Sequence, residues 1–340
     1  MSDPVVLGGL YEVCTGVPDA VEAIGLWEAF GYRVGPTGRL SASAAKALYG
    51  VDSALTSVRL LHQEADHGLL RLMVWDKPVG RGLDMAPLPT YGCRWSVHRS
   101  TDIMAVANHA EAWEEEGRPM NRMGPLLNAR MRGVEGGLPQ PFHKPITGLR
   151  ELQIFMPHHQ IVVMQRFNLH VPLYGQPHEG SLLKTSQVCH AGLTVQGGGL
   201  QQFDFYEKIF GLKRGNQIEV DHRSAKVSVL MFDIKEGDHY DVIDFDDVRS
   251  EKPHERQRSG RLRIFYRTSP RQTPDRRADS MPGNLGYSLY TYRVADAAAM
   301  RAKVLAGGAS KVTDVMPDEF GRPAFSFRSP DGFAWTLFQA

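Results

Sequence analysis

The chain repeats its own sequence, and this internal repeat constrains the fold more than any other feature. GLLRLMVWDKP at 68–78 is matched by GRLRIFYRTSP at 260–270, and both run from a Gly through a Leu-Arg pair and an apolar stretch to a Pro. Upstream of these, YEVCTGVPDAVEAIGLWEAFGYRV from Tyr11 parallels CHAGLTVQGGGLQQFDFYEKIFGLKR from Cys189. Such self-similarity indicates that one structural unit recurs along the chain.

The repeated unit is predicted to contain a strand, a helix and further strands. Apolar residues alternate in segments such as SLYTYRV, which is typical of a strand. Asp102 and Asp296 stand before alanine-rich stretches and are predicted helix N-caps. Gly31 and Gly211 each follow a Phe at a helix end, where glycine commonly terminates a helix. We predict four βαβββ units, which begin near Leu7, Tyr91, Gln187 and Leu285.

The order of the units predicts two domains, each built from two neighbouring units. A chain of 340 residues is long enough for two domains of ordinary size. The Pro- and Gly-rich stretch from Leu169 is the predicted linker. We expect an N-terminal domain at 1–168, the linker at 169–186 and a C-terminal domain at 187–340. A polar segment at 235–259 has no counterpart in the first unit, and we expect an inserted hairpin or mobile loop over the site.

Composition excludes several classes of function. The formal net charge is +1, which argues against a nucleic-acid surface based on bulk charge. No apolar run reaches the length of a membrane span, and the N-terminus does not resemble a signal peptide. Cys14, Cys93 and Cys189 lie far apart, as expected of reduced thiols in the cytoplasm. We therefore expect a cytoplasmic protein with a small-molecule partner, no nucleic acid and no membrane.

The repeat also carries a family resemblance. A strand that begins with His, the helix FYEKIFGLK, and the segments YRVADAAAMRAKVLAGG and SPDGFAWTLF resemble the vicinal oxygen chelate superfamily. That group includes glyoxalase I, extradiol dioxygenases, fosfomycin-resistance enzymes and bleomycin-binding proteins. The resemblance implies an α+β fold in which four βαβββ units pair into two glyoxalase/dioxygenase-like domains with curved mixed sheets. Since this fold hosts metal enzymes and metal-free binders alike, it does not fix the function.

The resemblance implies a metal site that this sequence keeps only in part. Metal-dependent members place His, His or Gln, and Glu on the first and last strands, which leaves open positions for a bidentate substrate. His190 matches one position, whereas Leu289 and Thr336 stand where a His and a Glu would be. The other carboxylate position falls on Arg263 or, if DHYDVIDFDD is the last strand, on Asp241. The matching positions of the N-terminal half lie near Glu12, Arg71, Trp95 and Val163.

We therefore expect a cavity that works without a metal. His190 would be the general base, Arg263 would hold developing negative charge, and Tyr290 would be the acid. The predicted substrate-binding residues are Arg71, Glu12, Trp95, Tyr292, Trp335 and Thr336. A bound Fe, Mn or Zn ion held by His190 and Asp241 is the alternative.

Each of these residues also has an ordinary structural explanation. His190 can be a hydrogen-bonded strand histidine, and the strand arginines can face solvent. Glu12 can be no more than the ion-pair partner of Arg71. The pair His158-His159 in MPHHQ is expected to form a turn.

Two functions from different classes follow. The first is an enzyme of the lyase, isomerase or ring-cleaving type that acts on a small oxygen-bearing substrate, aromatic or anionic. The second is a metal-free protein that sequesters an aromatic metabolite or antibiotic, as bleomycin-binding proteins do. Four units in one chain resemble the layout of extradiol dioxygenases and favour the enzyme. A monomer and a homodimer are both compatible with the sequence.

Overall fold

The structure is a computed structural model that describes residues 3–130, 147–251 and 256–340. Across these ranges the chain forms four consecutive units, each with a strand, a helix and further strands. The predicted repeat and the α+β class are confirmed. Within the described ranges, no helix combines the length and apolar character needed to cross a bilayer.

The first two units occupy the N-terminal half of the chain. The first contains β1 (Glu12–Gly16), α1 (Ala20–Ala29), β2 (Tyr32–Leu40), α2 (Ala42–Tyr49), β3 (Leu55–His62) and β4 (Leu69–Trp75). The second contains β5 (Arg94–Ser100), α3 (Ile103–Glu115), β6 (Asn121–Arg130), β7 (Thr147–Met156) and β8 (His159–Phe167).

The last two units repeat this order. The third contains β9 (Thr185–Gln196), α4 (Asp204–Lys208), β10 (Lys213–Asp221), α5 (Lys226–Met231), β11 (His239–Asp246) and β12 (Arg261–Arg267). The fourth contains β13 (Gly286–Val294), α6 (Ala297–Ala306), β14 (Met316–Pro317), β15 (Pro323–Arg328) and β16 (Ala334–Gln339).

Local sequence signals set the helix ends as predicted. The side chain of Asp102 accepts a hydrogen bond from the Ala105 amide at 3.0 Å, and that of Asp296 accepts one from the Ala299 amide at 2.9 Å. These bonds satisfy amide groups that have no partner inside the first helical turn. Gly31, just after α1, has φ of +87°, a left-handed conformation that glycine adopts without steric cost.

The strands form two curved, mixed sheets, with eight strands each in the described part of the chain. Sheet I has the order β14-β15-β16-β13-β1-β4-β3-β2, and sheet II has the order β10-β11-β12-β9-β5-β8-β7-β6. In each sheet two units meet through an antiparallel pair of first strands, β1 with β13 and β5 with β9. Within each unit the first and last strands pair in parallel.

The pairing of units corrects the sequence prediction. The first and second units were expected to form one domain and the third and fourth the other, but the first unit shares a sheet with the fourth and the second shares one with the third. The connections between units span 76–93, 168–184 and 268–285, which is 17 or 18 residues each. Segments of this length can reach either partner, so chain order alone does not decide the pairing.

The segment predicted as an insertion contains a regular strand. β11 pairs antiparallel with both β10 and β12, in the place that β3 has in the first unit. Only the connection after it is longer, since it runs over 247–260 where the first unit uses 63–68. The segment therefore has a counterpart in the first unit, contrary to the prediction of an insertion. Asp244 of β11 pairs with Arg261 and Arg263 of β12.

One face of each sheet packs into a single shared core. Val13 and Tyr290 of sheet I and Leu193 of sheet II belong to it, together with Trp27 of α1 and Met300 of α6. The opposite face of each sheet carries charged residues and is called its polar face here. The polar face of sheet I bears Glu12, Arg59, Arg71, Thr291 and Thr336, and that of sheet II bears Trp95, His190, Asp244, Arg261 and Arg263.

Candidate functional site

The polar face of sheet II brings His190 together with two arginines. Arg261 lies opposite His190 on the neighbouring parallel strand, and Arg263 lies opposite Gly192, two residues further along. β12 is therefore the last strand of the third unit, and Arg263 rather than Asp241 stands where the sequence resemblance placed a carboxylate. Asp241 pairs with Tyr266, so its side chain lies on the other face from His190.

His190 is buried and uncharged. Its side chain is 4% exposed, and Nδ1 lies 2.8 Å from the hydroxyl of Tyr174, which belongs to the predicted linker. Burial, followed by the charges of Arg263 and Arg261, holds the pKa of His190 well below its usual range. Burial raises the pKa of Tyr174 to about 12. At neutral pH the site therefore holds a neutral imidazole and a protonated phenol that share one hydrogen bond.

Asp244 links the two arginines of this face. Arg263 donates to it through Nε at 2.7 Å and Nη2 at 2.9 Å, and Arg261 donates through Nη1 at 2.9 Å. Arg261 Nε also donates to Asp246 at 2.5 Å. Burial alone would raise the pKa of Asp244, but the two guanidinium charges outweigh it and lower the pKa. The carboxylate is therefore ionised and fixes the positions of both arginines.

Positive charge exceeds negative charge around His190. Arg166 stacks over the Tyr174 ring at 4.8 Å from its centroid and donates to a backbone carbonyl at 3.3 Å. Among the described residues no carboxylate pairs with Arg166. Three arginines thus face two carboxylates, and Arg263, with 27% of its side chain exposed, connects this charge to solvent. The arrangement favours an anionic ligand.

Trp95 forms an aromatic wall on the same face as His190. Its ring packs at 5.8 Å from Phe232 and at 5.8 Å from Phe265, and these two rings stack at 3.6 Å. Gly192 lies directly beneath it, since a Cβ added there would stand 1.9 Å from the Trp95 ring. Glycine is required at this position by the close approach of the indole.

Replacing Gly192 with alanine should therefore destabilise the protein by about 1–3 kcal/mol, the usual cost of overpacking a filled interior. Urea unfolding measures the loss, and a changed Trp emission in the folded state would report the displaced Trp95. Gly25→Ala is the matched control, because no atom lies within 4 Å of the added Cβ in the middle of α1. That substitution should stabilise the protein by up to about 1 kcal/mol through helix propensity. Equal stability changes in the two variants would contradict this account of Gly192.

The polar face of sheet I has a different character. Glu12 and Arg71, both predicted to bind substrate, instead contact each other as a buried ion pair, and Arg59 donates to the same carboxylate. Thr291 adds a hydroxyl donor at 3.0 Å. Burial alone would raise the pKa of Glu12, but the charges of Arg71 and Arg59 lower it to about 2.

A loop from the fourth unit closes this cluster. Glu319 lies 3.4 Å from Arg71 and accepts hydrogen bonds from Tyr49 at 2.9 Å and Ser57 at 2.8 Å. Phe320 covers Arg59, whose guanidinium carbon lies 4.0 Å from the ring centroid. Two arginines thus meet two glutamates, and this balance fits a structural role rather than an anion site. Thr336 lies on the same face, where its hydroxyl bonds Ser326 at 2.7 Å.

Three aromatic residues predicted for the cavity lie in the shared core instead. Tyr290 donates from its hydroxyl to the backbone carbonyls of Trp95 at 3.2 Å and Gly192 at 2.9 Å. Tyr292 and Trp335 pack in the same core at 5.9 Å from each other. Tyr290 and Tyr292 lie on the same face of the sheet and Leu289 lies on the other, as alternation predicted. The face that carries the two tyrosines packs against helices and is not the polar face. The structure does not bring Tyr290 to His190.

The architecture matches that of two solved structures. Glyoxalase I from Zea mays superposes with a TM-score of 0.55 at 14% identity, covering 98% of this chain and 92% of that one. A putative dioxygenase from Bacillus subtilis subsp. subtilis str. 168 gives a TM-score of 0.55 at 11% identity, covering 98% of this chain and 86% of that one. The chain has the vicinal oxygen chelate fold. Comparisons of the sequence with protein-family models and with curated proteins give no match.

The vicinal oxygen chelate fold raises the question of a metal, and the residues present do not fit one. His190 stands beside Arg261 and Arg263, which repel a cation and offer no lone pair. Asp241, its alternative partner, lies on the opposite face. No group of three or more His, Cys, Asp or Glu residues suited to a metal occurs at 3–130, 147–251 or 256–340. The residues on this face therefore do not support metal-assisted chemistry.

Proposed function

We propose that the protein is an acid/base enzyme that moves a proton on a small anionic substrate at the polar face of sheet II. The observation that supports this is a neutral His190, bonded to Tyr174, inside an excess of arginine charge. The reaction type is that of an isomerase or lyase acting on a carbon next to a carboxylate. The resemblance to glyoxalase I and to a dioxygenase supports the fold in which such a site is placed.

Arg263 is the proposed anchor for the substrate. Arg263 is the more exposed of the two arginines on β12: 27% of its side chain is exposed, against 8% for Arg261. A planar guanidinium binds a carboxylate through two parallel hydrogen bonds. Tyr174 covers His190, so its ring must swing away before a substrate reaches the imidazole.

His190 is the proposed base. In this role Nδ1–H donates to the Tyr174 hydroxyl oxygen, which leaves the lone pair of Nε2 free. The carbon-bound proton would pass to Nε2 while the electron pair of the C–H bond moves onto the carboxylate. The enediolate that forms carries two negative charges, which Arg263 and Arg261 stabilise at close range. In a β,γ-unsaturated substrate, return of the same proton to the γ carbon moves the double bond to the α,β position and completes an isomerisation. Departure of a leaving group with its electron pair from the β carbon completes an elimination.

Substrate charge also tunes the base. The arginines lower the pKa of His190, and an anion bound among them offsets their charge. We expect oxalate, a planar dianion, to raise the pKa of the His190 ring when ring carbons are followed by NMR in protein labelled with ¹³C-histidine. An unchanged pKa under saturating oxalate would contradict the proposal.

Removing the anchor should weaken anion binding. Arg263→Gln is expected to raise the Kd for oxalate at least tenfold by calorimetry, because a charged hydrogen-bond pair is lost. Arg223→Gln is the matched control, since that arginine is 77% exposed and pairs only with Asp221 among the described residues. A Kd that responds equally to both substitutions would indicate non-specific charge attraction.

The aromatic wall of Trp95, Phe232 and Phe265 favours one second candidate, a protein that sequesters an aromatic anion. Both functions predict anion binding, but only the enzyme exchanges a substrate proton. Incubation of 2-aryl carboxylates in D₂O separates them, because the enzyme should incorporate deuterium at the carbon next to the carboxylate. Tight binding without exchange would favour sequestration.

A further inference from the structure

A cleft between α1 and α3 lies on the helix side of the sheets, away from both polar faces. Two cavities of about 440 and 310 Å³ follow it. The two cavities share wall residues, so they form one continuous cleft; these residues are Glu22, Leu26, Trp113, Arg118 and Met156. Volumes in this range are typical of sites for small organic ligands, about 300–1,000 Å³.

His159 gives this cleft a polar group that lacks a partner. The residue lines the smaller cavity, is 6% exposed and packs edge-on against Trp27 at 5.6 Å. Its Nδ1 has no hydrogen-bond partner among the described residues. Burial and the neighbouring His158 lower the pKa of His159 to about 3, so the ring is neutral. A buried polar atom without a partner is costly, and a ligand group that bonds to it would remove this cost.

The charges around the cleft select against ionic ligands. Asp19, Glu22 and Glu116 line it, whereas Arg118 is the one cation among the lysines and arginines of the described lining. Arg118 is already engaged, since it pairs with Glu116 at 3.1 Å and stacks over Trp113 at 4.3 Å. The excess of carboxylates disfavours an anion, and the neutral imidazole offers no counter-charge. The remaining wall is largely apolar.

We propose that this cleft binds an uncharged, flat aromatic molecule with one hydroxyl group, a phenol or naphthol. The hydroxyl bonds to Nδ1 of His159 once the imidazole turns this buried atom toward the smaller cavity, and the rings extend between α1 and α3 into the larger one. Leu26 and Met156, which line both cavities, provide the apolar contact. The sequence predicted only a turn at His158-His159, and in the structure β8 begins at His159. This site is independent of the function proposed for His190.

Calorimetric titration of the full chain with 2-naphthol tests the proposal. We expect one saturable site, with 2-methylnaphthalene and 2-naphthoate each at least tenfold weaker, because one lacks the hydroxyl and the other is anionic. His159→Phe should abolish the preference for 2-naphthol over 2-methylnaphthalene. His222→Gln, at an exposed histidine outside the cleft, should leave both affinities unchanged.

A second variant leaves the buried histidine intact. Gly25 lines the larger cavity, and no atom lies within 4 Å of the place of its Cβ, so Gly25→Phe fills the cleft without a clash at the backbone. We expect 2-naphthol to bind at least tenfold more weakly while the urea midpoint does not fall. Equal affinities for the three compounds, or naphthol binding that Gly25→Phe does not weaken, would overturn the proposal. A dimer in sedimentation that excludes naphthol would overturn it as well.

Discussion

Replacing Glu12 with glutamine should lower the free energy of unfolding by about 3–5 kcal/mol, the cost of breaking a buried ion pair from one side. Glu12, Arg59 and Arg71 are each at most 1% exposed, so no water replaces the lost carboxylate charge. Glutamine keeps the shape of the side chain, and the loss therefore reports charge rather than volume. Urea unfolding at neutral pH measures it.

An exposed ion pair supplies the control for this substitution. Lys46 and Asp52 lie 3.0 Å apart, with 64% and 70% of their side chains exposed. Asp52→Asn should change the free energy of unfolding by less than about 1 kcal/mol, because water screens the pair. Similar losses in Glu12→Gln and Asp52→Asn would contradict the buried cluster as a main source of stability.

The pH dependence of unfolding gives an independent check on Glu12. Its pKa falls from 4.5 to about 2 on folding, since the arginines outweigh the effect of burial. Between these values the unfolded chain binds a proton that the folded chain does not, so unfolding is favoured as the pH falls. The contribution is complete above about pH 4.5 and is lost as the pH approaches 2. The stability of Glu12→Gln should therefore fall less than that of the parent protein over this window.

The fold could be predicted from the sequence wherever local signals set it. Strand alternation, the caps at Asp102 and Asp296, and the glycine after α1 are properties of short segments, and the structure confirms them. The pairing of units is a property of contacts between distant strands. Val13 and Glu12 of β1 meet Tyr290 and Thr291 of β13 across nearly the whole chain. No local pattern distinguishes that partner from the equivalent strand of a neighbouring unit.

The prediction that the tyrosines line the cavity was wrong for a related reason. Alternation placed Tyr290 opposite Leu289, yet both residues are fully buried, because sheet I is covered on both faces. With apolar residues on each side, hydrophobicity does not show which face meets the helices. The sequence analysis named Asp241 as the acidic residue near His190, whereas the structure places Asp244 there. The two residues are three positions apart on β11, so their side chains lie on opposite faces of the sheet.

Site residues that lie in loops were the hardest to predict from the sequence. Glu319 reaches Arg71 from a loop 248 positions away, and Tyr174 reaches His190 from the connection between the second and third units. A lone tyrosine in a Pro- and Gly-rich segment is the one hint the sequence offers for Tyr174. Contacts of this kind depend on how the units pack, which the repeat does not specify.

Replacing His190 with glutamine should reduce deuterium exchange into a bound carboxylate by about 10²–10⁴-fold, the usual contribution of a general base. The Kd for oxalate should change less than threefold, because Arg263 and Arg261 remain in place. His170→Gln is the matched control, since His170 is exposed on the same linker as Tyr174, and it should retain full exchange. A His190→Gln variant with normal exchange would remove this residue from the mechanism.

Arg263 sets the pH at which His190 works, and this makes the assignment testable beyond a loss of activity. The neutral imidazole is the active form, so kcat/KM should fall as the pH drops through the pKa of His190. Burial first, and then Arg263, hold that pKa well below 6.5, so the acid limb of the parent enzyme lies well below pH 6.5. Arg263→Gln removes one of these effects and should move the limb to higher pH, although kcat/KM itself falls. An acid limb that stays in place, or moves to lower pH, would show that Arg263 does not lower the pKa of His190.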